Sequence, residues 1–179
     1  WICGITNTSI TDTLKNVENY FKDPSLVSHS PFFLPYLSGE RTPHNDPHIR
    51  GSFHAMKTTT DATNMQYAVI EGVSFGILDG VNSILKVNDK FEKIFMVGGG
   101  SRSSFWIELL ASLLNKNLSV CDQSEYGAAL GVARLAMHSD DNIKNKDDLI
   151  KEIKIGKSYS PSSNKTDILM KRYQIWKEL

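Results

Sequence analysis

The pattern of apolar and polar positions predicts a helix, a loop and a short strand in the first third of the chain. The helix carries apolar residues at intervals of three and four, namely Leu14, Val17, Tyr20 and Phe21. Asp23-Pro24 should end this helix, because a residue that precedes proline disfavours the helical conformation. Residues 31–47 are rich in turn formers and predict a structured loop, a common place for function. Alternation over residues 51–56 predicts a short strand.

The remaining pattern predicts alternating helices and strands. The longest apolar repeat, over residues 61–85, predicts a helix with Thr60 or Asp61 as its N-cap. After it we expect a buried strand at 94–97, a helix over 105–114, a strand at 118–121, a helix over 127–138 and a closing helix over 166–179. Small residues on the 127–138 helix permit close packing, and the charged stretch 139–165 predicts loops. This order is typical of the α/β class.

Length, charge and the first residue bound the possibilities further. A chain of 179 residues with 40% hydrophobic content has the size and composition of one globular domain, residues 1–179. The 20 Lys and Arg residues balance the 20 Asp and Glu residues, so we expect no general attraction to nucleic acid or to an anionic membrane. The chain starts with tryptophan rather than methionine, and we expect that an upstream part is missing.

The cysteine count and the hydropathy pattern indicate the compartment. Cys3 and Cys121 are too few and too far apart for a disulfide framework or a four-thiolate zinc site. No apolar run approaches the roughly 20 residues that span a bilayer, and the first residues lack the pattern of a signal peptide. The sequence therefore predicts a cytoplasmic protein.

The clearest chemical signal is the run Gly98-Gly99-Gly100, which lies between a predicted strand and a predicted helix. Glycine lets a phosphate or a nucleotide approach the backbone amides closely, and the start of the helix adds partial positive charge. Ser101, Ser103 and Ser104 add hydroxyls that suit a helix cap, a ribose or a base. Nucleotide binding and a simple tight turn are both compatible with this pattern. A Walker loop is absent from the sequence.

A dinucleotide-binding fold is an alternative for the same segment. Gly98, Gly100 and Ser103 imitate its glycine fingerprint, and Asp122 occupies the place of a ribose-binding acid after the next strand. About half of the chain precedes these glycines, however, and only one clear strand follows them. The pattern therefore fits this fold only in part.

The 31–47 loop and the residues after it suggest two further kinds of site. The side chains of His44, Asp46, His48 and His54 are conceivable metal ligands, but their spacing matches no ligand motif, and we favour the explanation that they belong to local turns of a polar loop. Arg41 and Arg50 are suited to binding a phosphate or an acidic partner, or to pairing with Glu40 or Asp46. No arrangement for nucleophilic catalysis is recognisable, because the serine elbow is missing and neither cysteine has an evident histidine partner.

Four motifs resemble the FGGY family of carbohydrate kinases, in order and in spacing. They are Phe33-Leu-Pro-Tyr-Leu-Ser-Gly-Glu-Arg-Thr-Pro-His-Asn-Asp-Pro47, Glu71-Gly-Val-Ser-Phe-Gly76 with Asp79-Gly80, Val97-Gly-Gly-Gly-Ser-Arg-Ser103, and Gly127-Ala-Ala-Leu-Gly-Val-Ala-Arg-Leu-Ala136. The first motif is most similar to members that phosphorylate D-xylulose, rather than members that act on gluconate, glycerol or ribulose. The resemblance implies a ribonuclease-H-like, actin-type ATPase fold with a cleft for Mg²⁺-ATP and sugar.

The resemblance also assigns residues to that cleft. Carried over by position, Gly99, Gly100, Ser101 and Ser104 would contact the adenosine part of ATP or ADP, and Gly98 would shape the turn. The loop with Glu40 and Arg41 would lie near the cleft between two domains. No residue of the chain matches the family's catalytic aspartate, its phosphate loop or most of its sugar contacts, so Mg²⁺ would be held by ATP and by groups outside the chain.

The resemblance therefore covers only the C-terminal part of such a kinase, incomplete on its N-terminal side. Phosphoryl transfer depends on groups that converge from several directions, so we expect the chain alone to be inactive. The alternative is a non-catalytic remnant that binds a nucleotide or a partner. The partners of the full-length kinase would be ATP or ADP, D-xylulose and the missing N-terminal domain. Through an exposed sheet edge, a second copy of the chain would be a further partner.

Overall fold

The computed structural model describes residues 1–87, 93–122, 124–139 and 154–179. The helices are α1 Ile2–Ile5, α2 Ile10–Phe21, α3 Pro24–Ser28, α4 Ala62–Leu85, α5 Ser104–Leu114, α6 Gly127–Ser139 and α7 Ser163–Trp176. The strands are β1 Phe32–Leu34, β2 Ser52–His54, β3 Ile94–Met96, β4 Leu118–Cys121 and β5 Ile155–Tyr159. Two short 3₁₀ turns, Gly99–Arg102 and Ser124–Tyr126, follow β3 and β4.

The long helix α4 is the centre of the main core. Its start is fixed by a capping box, in which the Asp61 carboxylate accepts from the Asn64 amide at 2.8 Å and the Asn64 side chain accepts from the Asp61 amide at 3.1 Å. Apolar side chains from α2, α5, α7 and β1 pack around it and form one cluster. This helical half contains most of the buried apolar surface of the described chain.

A buried ion pair joins α4 to α7 inside this core. The Arg172 guanidinium donates to both carboxylate oxygens of Glu71, at 2.6 and 2.7 Å, and to the carbonyls of Ser30 and Pro31. Burial raises the pKa of the Glu71 carboxyl, whereas the charge of Arg172 opposes that rise. Glu71 and Arg172 are only 1% and 4% exposed, so each charge depends on the other for stabilisation.

The second half of the structure is a small mixed sheet with two helices. Strands β3 and β4 are parallel, β4 and β5 are antiparallel, and the order is β3-β4-β5. Helix α5 lies between the sheet and the main core and contributes buried residues to both clusters. The antiparallel β5 departs from the continuing parallel sheet of a dinucleotide-binding fold, so the alternative built on that fold does not describe this chain.

Several sequence predictions about the first half are confirmed, and two are wrong. The helix at 61–85 and the strand within 51–56 are present as α4 and β2. The first thirty residues form three helices instead of one. Helix α2 ends at Phe21, before Asp23-Pro24, as predicted. Pro24 then begins α3, because it occupies the first turn, where no intrahelical bond needs its missing N–H, and Asp23 caps the amide of Ser25 at 2.9 Å. Strand β1 lies within the expected loop.

In the second half, the predicted strands and helices around the glycines are present, and α7 begins three residues before the expected closing helix. Strand β5 was not predicted, because it lies in the charged stretch 139–165 where we expected loops. Most of that stretch, residues 140–153, lies outside the described residues. The small-residue face of α6 was expected to pack closely, but no described residue of α6 is buried.

Helix α4 is long and apolar enough to span a bilayer, judged by length and composition alone, and it is unique in this among the described helices. Its buried face nevertheless carries Gln66, Glu71 and Ser74. Each of these side chains has a hydrogen-bond partner in the core. These contacts identify α4 as the core helix of this fold.

Candidate functional site

The glycine loop, residues 98–103, connects β3 to α5 and has a fixed backbone conformation. Gly98 has a φ of +82°, a region that favours glycine, and its amide donates to the Ser124 carbonyl at 2.8 Å. A Cβ atom built on Gly98 or Gly99 would meet no other atom within 4 Å, so both glycines face open space. The loop is therefore able to receive a ligand directly against its backbone.

The three serines of this segment have different roles. Ser101 is buried, and its hydroxyl donates to the Gly98 carbonyl at 2.7 Å and lies 2.8 Å from the Ser124 hydroxyl. These two contacts stabilise the conformation of the loop. Ser103 caps α5 by accepting from the Trp106 amide at 3.2 Å. Ser104 is exposed, and its hydroxyl lies 3.1 Å from that of Tyr159.

A cleft of about 500 Å³ lies beside the glycine loop, within the ~300–1,000 Å³ typical of small-molecule sites. Its walls come from three places: Ser101 and Ser104 after β3, Cys121 and Asp122 at the end of β4, and Lys157 and Tyr159 on β5. Burial and then the neighbouring Asp122 charge raise the pKa of the Cys121 thiol, which keeps this sulfur protonated and a poor nucleophile. Arg102 also lines the cleft, so its described walls carry hydroxyls, the Asp122 carboxylate, the Lys157 ammonium group and the Arg102 guanidinium group.

Residues of β5 were missed as members of the cleft. The sequence signal was weak, because Ile155 and Tyr159 are the only large apolar residues in that strand and charges dominate the stretch before it. Their position results from pairing with β4, whose register sets Tyr159 opposite Leu118 and Lys157 opposite Val120. Such pairing is non-local and leaves little trace in local sequence.

Glu40 and Arg41 lie on a second feature, the 36–47 loop, and do not line the glycine-loop cleft. Glu40 and Asp46 exchange backbone hydrogen bonds at 2.8 and 2.9 Å, and the Glu40 carboxylate accepts from the amides of Arg41 and Thr42. A Cβ on Gly39, whose φ is +87°, would lie 2.8 Å from the Pro47 carbonyl oxygen. The loop is thus a tight turn with Arg41 exposed at its tip.

A polar cluster attaches this loop to the helical core beside a cavity of about 700 Å³. The His44 Nε2 atom lies 2.9 Å from the Tyr36 hydroxyl and 3.6 Å from the Asp79 carboxylate. Tyr173 donates a short hydrogen bond to Asp79. Burial, with the charges of Asp79 and Glu40 as lesser causes, raises the pKa of Tyr36 to about 12. Burial and the bond to Asp79 also raise the pKa of Tyr173.

The histidines and Asp46 take part in local contacts instead of a shared metal site. The Asp46 carboxylate accepts from the amides of His48 and Ile49, and His54 contacts the Ser52 hydroxyl at 2.7 Å. Within the described ranges, no three His, Cys, Asp or Glu side chains lie close enough together to hold a metal ion. The described residues therefore do not fit a protein-held Mg²⁺ ion, and we derive no step through one.

Comparison with known proteins gives a consistent result. Residues 6–139 match the family model described as the FGGY family of carbohydrate kinases, C-terminal domain. The xylulose kinase of Escherichia coli (strain K12) is 32% identical over 148 residues, which are 83% of this chain and 31% of that protein. The chain thus spans about a third of the length of this curated relative.

Solved structures agree with this match. The crystal structure of a xylulose kinase from Brucella ovis superposes with a TM-score of 0.83 and 30% identity, over 99% of this chain and 36% of that one. The gluconate kinase of Lactobacillus acidophilus superposes with a TM-score of 0.73 and 27% identity, over 95% of this chain and 34% of that one. The similarity covers the helical core, the glycine loop and the small sheet together.

Proposed function

Because the chain belongs to the FGGY family of carbohydrate kinases, we propose that it is the nucleotide-binding part of a kinase that transfers a phosphoryl group from ATP to D-xylulose. The product would be D-xylulose 5-phosphate. The observation that carries this proposal is the glycine loop between β3 and α5. Its Gly98 and Gly99 face open space, its Ser101 lines a cleft of suitable size, and the chain's relatives include xylulose kinases.

In this proposal, Gly98, Gly99 and Gly100 present backbone to the adenosine part of ATP, and Ser104 supplies a hydroxyl. Gly98 sets the turn through its positive φ, and Ser101 holds the loop in place. Bound ATP would bring its own Mg²⁺ ion, which would supply positive charge beside the phosphates. The 36–47 loop would present Glu40 and Arg41 towards the cleft between domains.

The chain by itself is proposed to bind nucleotide without catalysing transfer. Transfer requires a base for the sugar hydroxyl and charge stabilisation around the moving phosphoryl group. The glycine-loop cleft contains one carboxylate, Asp122, at the end of β4, and none of its residues was matched to the family's catalytic aspartate. Those groups would come from the remainder of a longer kinase, which the relatives' greater length supports.

A gluconate kinase also superposes on the chain, with a TM-score of 0.73 against 0.83 for the Brucella ovis xylulose kinase. Gluconate is therefore the second candidate substrate. Glycerol and ribulose remain alternatives within the family. A non-catalytic remnant is a further alternative. Such a protein would bind nucleotide at the same site but would not transfer a phosphoryl group.

Two measurements test the proposal. Calorimetry with ADP should detect binding to the chain. Gly98→Ala should weaken this binding, because alanine is strained at the positive φ of Gly98 and would distort the loop. Gly80→Ala, at a position on α4 that faces open space, is the control and should leave ADP binding unchanged. A coupled assay of ADP formation should show turnover with D-xylulose only when the chain is combined with the rest of its kinase. Turnover with gluconate instead would reassign the substrate, and absence of ADP binding would refute the nucleotide site.

Location and assembly follow from the same proposal. We infer a cytoplasmic enzyme, because its proposed substrates, ATP and a free sugar, are met there. Self-association is also proposed, since β3 pairs on one side only among the described strands and α6 exposes Val132 and Leu135. Light scattering across a concentration series tests it, and a constant monomer mass would refute it.

A further inference from the structure

Asp122 belongs to a part of the cleft that the proposed function leaves unused. It follows β4 directly and lines the cleft together with Ser104 and Tyr159. Its backbone amide donates to the Lys154 carbonyl at 3.0 Å, which fixes the position of its Cα atom. Its carboxylate is exposed and has no hydrogen bond or ion pair to another described residue. A positioned carboxylate that no described side chain engages is suited to binding a ligand.

The geometry of β5 directs this carboxylate. The register of the β4–β5 pair shifts between Val120 and Cys121, and Gly156 is the extra residue on β5 at that point. A Cβ atom on Gly156 would lie 2.8 Å from the Asp122 Oδ1 atom, which is too close for any other residue without a shift. The bulge and its glycine therefore make room for the Asp122 side chain against β5.

The same cleft is lined by the Ser104 and Tyr159 hydroxyls, which lie 3.1 Å apart. An ionised carboxylate only accepts hydrogen bonds, whereas these hydroxyls both donate and accept. A ligand that contacts the carboxylate must therefore offer at least one donor towards Asp122. Neighbouring hydroxyls on a sugar ring meet that requirement, because two O–H groups can bond to the two oxygens of one carboxylate.

We propose that Asp122 binds the ribose hydroxyls of the nucleotide, with Gly156 as the residue that positions its carboxylate. This inference rests on the proposed nucleotide site and adds to it a determinant of ribose recognition. The sequence placed Asp122 in such a role only within the dinucleotide-binding fold, which the chain does not have. Here the same chemistry results from a bulged antiparallel strand.

The test compares ADP with 2′,3′-dideoxy-ADP by titration calorimetry on the 179-residue chain. The wild type should bind ADP about 10- to 100-fold more tightly than the dideoxy analogue, the range for hydrogen bonds to a charged group. Asp122→Asn should lose most of that difference and leave binding of the dideoxy analogue unchanged. Gly156→Ala, which keeps the carboxylate but crowds it, should reduce the difference as well.

The control is Asp167→Asn, which removes an exposed carboxylate on α7 outside the cleft and should change neither affinity. Equal affinity of the wild type for the two nucleotides, or an equal loss for both in Asp122→Asn, would overturn the role of Asp122. Failure of the wild type to bind either nucleotide would instead overturn the proposed nucleotide site, and this inference with it. Circular dichroism checks that each variant is folded.

Discussion

The helical half and the sheet half of the structure use polar groups in opposite ways. In the helical half, the charges of Glu71 and Arg172 are buried and paired. In the sheet half, Asp122 and Lys157 line an open cleft, and the whole of α6 lies on the surface. Buried charges that pair with each other are closed to a ligand, whereas charged groups that line an open cleft are accessible to one. Stability is therefore concentrated in the first half and ligand chemistry in the second.

Loss of the buried ion pair should produce the largest effect. Arg172→Met leaves the Glu71 carboxylate buried without its partner, and the carbonyls of Ser30 and Pro31 lose their donors. We expect a loss of about 3–5 kcal/mol in the free energy of unfolding, measured by urea denaturation. Lys171→Met, an exposed neighbour on α7, is the control. A loss below about 1 kcal/mol would contradict the importance of the pair.

The same substitution in two helices should have opposite signs. A Cβ on Gly72 of α4 would lie 2.2 Å from the Phe33 carbonyl oxygen, so Gly72→Ala should cost about 1–3 kcal/mol or more. Gly131 of α6 faces open space, and Gly131→Ala should stabilise the chain by about 0.5–1 kcal/mol. The free energy of unfolding of both variants is measured by urea denaturation. An equal loss of stability in the two variants would contradict the predicted difference in sign.

High pH should weaken the attachment of the 36–47 loop to the helical core. Burial and neighbouring negative charge raise the pKa of Tyr36 to about 12, above the value of about 10 for an unfolded chain. A raised pKa means that the fold favours the neutral phenol, so this contribution is complete below about pH 10 and is lost as the pH rises towards 12.

The measurement for this prediction is the free energy of unfolding of wild type and Tyr36→Phe at a series of pH values. The wild type should lose stability relative to the variant above about pH 10, because the variant has no phenol to ionise at this position. Tyr173 also titrates in both proteins, and because the Tyr36 charge helps to raise the pKa of Tyr173, the difference includes this coupling between the two phenols. Parallel pH profiles of the two proteins would show that folding does not raise the pKa of Tyr36, and would contradict the prediction.

The smallest effect should come from a surface charge in the helical half. Hydrogen bonds from the Ser25 hydroxyl and the Ser25 amide lower the pKa of Asp23. A lowered pKa means that stability is gained above the unfolded value and lost as the pH falls through the folded one. In a carboxyl titration by NMR, Ser25→Ala should move the Asp23 pKa back towards its ordinary value. No movement would show that the hydroxyl contributes nothing.

Elements with long local repeats could be predicted from the sequence, and elements formed by distant pairing could not. The apolar repeat of α4 and the strand, glycine loop and helix around Gly98 are local features, and the structure confirms them. Strands β1 and β5 are three and five residues long and exist through partners far along the chain. The ion pair of Glu71 and Arg172 spans 101 positions, so no local pattern reveals it.

The candidate site divides in the same way. The glycines and serines of the 98–104 segment are contiguous, so they could be predicted as a possible ligand loop. Asp122 and Tyr159 become neighbours of that loop only when β4 and β5 pair. The local sequence pattern therefore predicts the part of the cleft formed by the 98–104 segment. The part formed by β4 and β5 follows only from the tertiary structure.

The contacts of α7 also bear on how the chain is made in the cell. Arg172 bonds to carbonyls 141 and 142 positions earlier, and the Trp176 indole donates to the Phe33 carbonyl 143 positions earlier. A ribosome adds about 5–20 residues per second, so the segment around β1 waits several seconds for these partners. During that interval the apolar faces of α2 and α4 are not yet packed against α7. The nascent chain is therefore expected to be a substrate for chaperones until α7 has left the ribosome.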